Sequence, residues 1–166
     1  MHSCRGESHI MKIMRSTMFC LLLTLTLPAF ANSAVTPGPK DKCLVCGMFV
    51  AKYPDWAAMI EYTNGRVVWF DGVKDLLKGL LAPGKYGLPK AQSDIKAIRV
   101  KDYYSLTFVD GRSASYVIGS DIMGPMGKEL IPFAKAADAK GFLKDHSGEK
   151  VLRFDQLTSD ILKKLE

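Results

Sequence analysis

Cysteine and histidine are scarce in this 166-residue chain, which holds four of the first and three of the second, more than half of them within the first twenty residues. Beyond position 34 only Cys43, Cys46 and His146 remain. A zinc ribbon needs a second closely spaced pair of Cys or His, and none follows Cys43 and Cys46. Long apolar runs are missing too. The longest, residues 18–27, is too short to cross a bilayer as an ordinary helix. Lysine and arginine form no run long enough to argue for nucleic acid, and the interspersed charges read as a solvated mixed surface. No Ser-His-Asp set, catalytic carboxylate pair or phosphate-cradling glycine loop stands out, so enzymatic chemistry has no obvious seat.

The N-terminus reads as an export signal spanning residues 1–34, including an upstream extension before Met11. Lys12 and Arg15 supply a basic start, residues 18–27 the apolar run, and Pro28 its end. Cleavage is expected near Ala31 or Ala34. Cys20 lies inside the apolar run with no small-residue pair before it, so the mature chain reads as soluble, without stable membrane insertion or a lipid anchor. Removing the segment leaves roughly 130 residues, enough for one compact domain. It takes Arg5, Lys12 and Arg15 away with Glu7, which lowers the net charge from +6 to about +4. Export also means an oxidising compartment for the remaining thiols.

The mature chain predicts an α+β fold. Residues 35–42 form a Pro/Gly-rich linker. Residues 57–62 and 66–70 are apolar and β-branched around Asn64-Gly65, a hairpin signal. Asp71 stands where a helix N-cap belongs, and Val73, Leu76, Leu77, Leu80 and Leu81 recur at helical spacing before Pro83-Gly84. A strand is expected over 95–103, and a second hairpin over 104–118 around Asp110-Gly111. Further expectations are a short strand or turn over 129–133, a helix over 138–144, a strand over 150–154 and a last helix capped by Thr158. Asp155 reads as another N-cap. Residues 66–71 (RVVWFD) resemble 150–155 (KVLRFD), consistent with two small similar units, 43–103 and 104–166.

Cys43-Leu44-Val45-Cys46-Gly47-Met48 is the most informative string. Its two-residue gap lets both sulfurs converge on one ion, and Gly47 lets the backbone turn. Thiolate and thioether are soft donors that together favour Cu(I). The pair also fits a structural disulfide or a periplasmic thiol–disulfide oxidoreductase. A redox pair, however, prefers a helix N-terminus, and no helix-forming sequence follows here. Met48 fits either a ligand or a core side chain. Met123 and Met126, framed by glycines in Ile122-Met123-Gly124-Pro125-Met126-Gly127, fit either thioether ligands on a loop or apolar plugs. His146 fits a C-terminal helix cap or a ligand.

Taken together, Cys43–Met48, the hairpin ending Phe70-Asp71, the Met123–Gly127 segment and His146-Ser147-Gly148 ahead of 151–154 resemble the NosL family. The likeness spans roughly residues 42–154. It implies two ββαβ units and an exported, non-enzymatic metallochaperone that binds Cu(I) for the assembly of nitrous-oxide reductase or a related copper enzyme. It also implies that Cys46, Met48 and Met126 are ligands. Typical members carry a lipid-anchoring cysteine at the cleavage site, which this chain lacks.

Overall fold

The computed structural model describes residues 35–166; the export segment expected over residues 1–34, with Cys4 and Cys20, lies outside the described residues. The Asn64-Gly65 signal does form a hairpin, between β1 (Ala58–Tyr62) and β2 (Val67–Phe70). Gly65 alone takes the left-handed conformation there, at φ 83°, and the Tyr62 N–H closes the loop on the Arg66 carbonyl. The chain then enters α1 (Val73–Leu81), crosses a loop with two short 3-10 turns, and returns as β3 (Ile95–Lys101). Both β2 and β3 pair with β1, so α1 links the two flanking strands across the central one and packs on β1 and β2.

The same path is walked a second time. Strand β5 (Ser115–Ile118) is the centre, flanked by β8 (Ile131–Phe133) and β9 (Lys150–Arg153), with α2 (Ala136–Asp145) linking the flanks and packing on all three. The ββαβ unit thus occurs twice, in an α+β molecule. The two strings that hinted at duplication are not equivalent, however. Residues 66–71 cover β2, whose counterpart is β8, whereas 150–155 cover β9.

The hairpin expected over residues 104–118 is absent from the described residues. Strand β4 (Phe108–Asp110) pairs with β3, while β5 belongs to the other sheet. Asp110-Gly111 cannot fold the chain straight back because neither residue has a positive φ. The Ser113 and Ala114 N–H groups both donate to the Asp110 carbonyl, and this coil carries the chain out of the first sheet. Gly111 lies so close to β3 that a Cβ there would be 2.7 Å from Ile98 Cγ2.

Strand β5 ties the halves together. Tyr116 and Ile118 enter a core shared with Ile60, Phe70, Leu76 and Ile98, while Val117 faces a second core with Ile131, Phe133, Ala139 and Phe142. The buried Tyr116 hydroxyl donates to the Gly111 carbonyl. Asp102, just past β3, reaches into the second half, where its Oδ2 accepts the Ala134 N–H at 2.6 Å. A two-stranded ribbon of β6 (Met123–Gly124) and β7 (Gly127–Lys128) projects between β5 and β8. The terminal helix α3 (Ser159–Lys164) packs on α1; Thr158 occupies its N-cap position without a side-chain capping bond. Asp155 caps no helix. It pairs at the surface with Arg153, at 3.1 Å.

Candidate metal centre

Residues 42–49 fold into a tight knuckle. Lys42 and Phe49 form a bridge, the Cys43 N–H donates to the Met48 carbonyl (2.8 Å), and the Gly47 N–H donates to the Cys43 carbonyl (2.9 Å). Gly47 takes φ 78°, the left-handed step that makes this return possible. The Leu44 N–H donates to the Trp69 carbonyl at the end of β2, which fixes the knuckle beside the residue pair that opens α1. Both sulfurs are free thiols; Cys43 is 2% exposed and Cys46 half-buried.

Asp71 and Asp75 complete the cluster. One ligand atom from each of Cys43, Cys46, Asp71 and Asp75 lies within 4.8 Å of all the others. The Cys43 thiol donates to Asp75 Oδ2 and the Cys46 thiol to Asp71 Oδ2, each at 3.3 Å. Asp71 is buried, and its Oδ1 has no hydrogen-bond partner. An orphaned carboxyl oxygen in a protein interior costs free energy unless something occupies the space in front of it. Asp71 is therefore not the expected N-cap of α1. That position belongs to Gly72, in extended backbone, with no side-chain cap.

Burial pushes both thiols up, Cys43 far up and Cys46 to about 11. Backbone N–H groups pull the other way: those of Val45, Cys46 and Asp71 favour the Cys43 thiolate, and that of Met48 the Cys46 thiolate. Burial wins, so the protein holds both sulfurs protonated, with backbone N–H groups turned toward them. This is the reverse of a redox cysteine, which needs an exposed thiol of lowered pKa. Nor does either cysteine start a helix; a 3-10 turn at Val50–Lys52 follows the knuckle.

The other anticipated residues fall in three places. Met48 is half-buried at the end of the knuckle. Met123 and Met126 are exposed on the β6–β7 ribbon, and the Met126 carbonyl accepts the Lys74 ammonium at 2.7 Å, which fastens the ribbon to the first turn of α1. Lys74 directly precedes Asp75, so the methionine ribbon and the cysteine knuckle meet the same helix start. His146 ends α2, stacks on Phe142 and pairs through Nδ1 with Asp121 Oδ1 (3.0 Å).

Sequence reasoning missed Asp71 and Asp75. The available signal was their i, i+4 spacing around a glycine, directly after a strand whose residues, Val67 to Phe70, are apolar on both faces. Two carboxyl groups at a buried helix start suggest a cation. Oxygens of Asp71 and Asp75 stand where a four-coordinate site would look for a second Cys or His pair.

A family model described as NosL matches residues 34–162. The copper-binding lipoprotein NosL of Stutzerimonas stutzeri is 29% identical over 130 residues, covering 74% of this chain and 64% of that protein. The chain therefore spans less than two thirds of the length of this curated relative. The crystal structure of the copper chaperone NosL from Shewanella denitrificans superposes with a TM-score of 0.65 at 27% identity, covering 76% of this chain and 96% of that one. Knuckle, duplicated ββαβ framework and a match across nearly all described residues lead to one assignment: the chain belongs to the NosL family.

Proposed function

We propose that this chain is a Cu(I) metallochaperone of the periplasm, and that it passes its ion to a copper-accepting enzyme, nitrous-oxide reductase or a relative, without making or breaking a substrate bond. The observation that carries this reading is the meeting of two free thiols and a methionine ribbon at one helix start, in a chain whose relatives are named copper-binding protein and copper chaperone. Cys46, Met48 and Met126 hold the ion, with Cys43 as an additional donor. Soft sulfur donors select Cu(I) over harder ions. Loading displaces thiol protons. Unloading proceeds by ligand exchange from the side where Met126 is exposed, as an incoming donor replaces one sulfur at a time and no free copper is released. Met123, exposed on the same ribbon, is a further thioether available to the ion, whereas His146, engaged by Asp121 and Phe142 at the end of α2, is the weakest member of the anticipated set.

A second reading is favoured by Asp71 and Asp75. Two thiolates and two carboxylates suit a four-coordinate, borderline divalent ion such as zinc better than Cu(I). In that case the knuckle holds a divalent ion, and the thioethers hold Cu(I) at its edge. Among the described residues no helix is long and apolar enough to cross a membrane.

Competition titration of Cu(I) against a chromophoric chelator tests the first reading. Cys46→Ser and Met48→Ala should each weaken binding about tenfold or more. Unchanged affinity in both, together with turnover of a disulfide substrate, would make the chain a thiol oxidoreductase. The second reading requires a Co(II) or Zn(II) complex that Asp71→Asn abolishes and that forms beside bound Cu(I).

A further inference from the structure

Glu129, between β7 and β8, is buried and does nothing for the knuckle directly. Its Oε1 accepts the Lys74 N–H at 2.6 Å and the Leu130 N–H at 2.8 Å. The first of these is an orphan donor at the start of α1, so a carboxylate from the second half of the chain caps the helix of the first. Lys74 sends its ammonium the other way, to the Met126 carbonyl. Two glycines make room. A Cβ on Gly72 would fall inside the Glu129 carboxylate, and one on Gly124 would be 3.0 Å from Glu129 Cγ. Gly72 has φ −170° and ψ 170°, extended backbone open to any residue, so only the carboxylate's space requires glycine there.

Gly72 and Lys74 lie between Asp71 and Asp75; Gly124 and Glu129 flank Met126. Four residues thus interlock the helix start that carries the knuckle's carboxyl groups with the ribbon that carries the exposed thioether. We propose that Glu129 and Lys74 are positioning residues for copper: they fasten the ribbon to α1 and thereby set the reach of Met126 to the Cys43–Cys46 knuckle. This rests on the reading of Met126 as a Cu(I) ligand. Without the fastening, a ribbon of two-residue strands has too few hydrogen bonds to hold one place, and the thioether loses its preorganisation.

The test is NMR of protein labelled with 13C-methyl methionine, titrated with one equivalent of Cu(I) beside a chelator competition. In the unaltered protein the Met126 and Met48 methyls both shift. In Gly72→Ala and Lys74→Leu, with the amide spectrum still that of a folded protein, Met126 stops responding while Met48 still does. Cu(I) affinity then falls about tenfold, and Lys74→Arg restores the Met126 response and the affinity. Adding Met126→Ala to Gly72→Ala causes no further loss, because both remove the same donor. A Met126 methyl that responds normally in folded Gly72→Ala and Lys74→Leu, or additive losses in the double variant, overturns the positioning role and leaves the ligand reading intact. A Met126 methyl silent in the unaltered protein, with Met126→Ala binding normally, removes the ligand reading and the positioning role with it. If Gly72→Ala fails to fold, Gly124→Ala crowds the same side chain more gently and takes its place.

Discussion

Glu129→Gln should change how stability depends on pH, and the size of the change follows from where the carboxyl sits. Burial raises the Glu129 pKa from 4.5 to about 7, against the pull of the Leu130 and Lys74 N–H groups and the Lys74 charge. Between those values the folded protein holds a proton that the unfolded chain releases. The group's contribution is therefore fully present below pH 4.5 and is lost as pH rises through 7. A difference of about 2.5 pH units corresponds to about 3 kcal/mol. Glutamine keeps an acceptor oxygen for both N–H donors and never ionises. Urea unfolding of the apo protein, followed by the fluorescence of Trp56 and Trp69, gives stability at pH 4.5, 6 and 7.5 for both forms. The gap between the two curves should open by about 3 kcal/mol in favour of the variant from the lowest pH to the highest. Other titrating groups cancel in that difference. Parallel curves would refute the argument: they would mean that the Lys74 ammonium outweighs burial and that Glu129 is already ionised in the folded state at pH 5.

Copper affinity should also depend on pH. Because Cys46 keeps its proton up to about pH 11 and Cys43 higher still, each thiol that becomes a ligand makes the apparent Kd fall about tenfold per unit between pH 6 and 8; a flat titration would take both sulfurs out of the ligand set. Tyr116→Phe removes the donor to the Gly111 carbonyl at the crossing between the sheets, and should cost about 1–3 kcal/mol in urea unfolding while leaving Cu(I) affinity unchanged.

Local signals carried much of this fold. Asn64-Gly65 marks a true hairpin because Gly65 is needed at positive φ. The leucine spacing marks α1 because one face of it is buried on β1 and β2. The Asp110-Gly111 signal misled, since a dipeptide that permits a turn does not choose the strand to which the chain returns. That choice was made by packing: the close approach of Gly111 to Ile98 and the burial of Tyr116. The apparent repeat misled for a related reason. Short strands that bury apolar residues draw on the same few residue types, so β2, buried along most of its length, and β9, buried only at Leu152, look alike in sequence without being equivalents. At the centre, the two cysteines were legible because closely spaced thiols beside a glycine are uncommon. Asp71 was not. An acidic residue before a helix has an ordinary explanation in capping, and only the three-dimensional path of residues 42–49 brings a sulfur against its oxygen.

If the chain carries copper as proposed, strand β5 has a consequence for how the ion leaves. Its alternate residues are sealed into two separate interiors, so neither half can swing or peel away without baring both. A carrier assembled from two hinged lobes opens like a jaw; among the described residues β5 leaves no such joint. On the proposed function, what yields during hand-over belongs to the rim, the tip of the Cys43–Met48 turn and the methionine ribbon over residues 123–128, and not to β5.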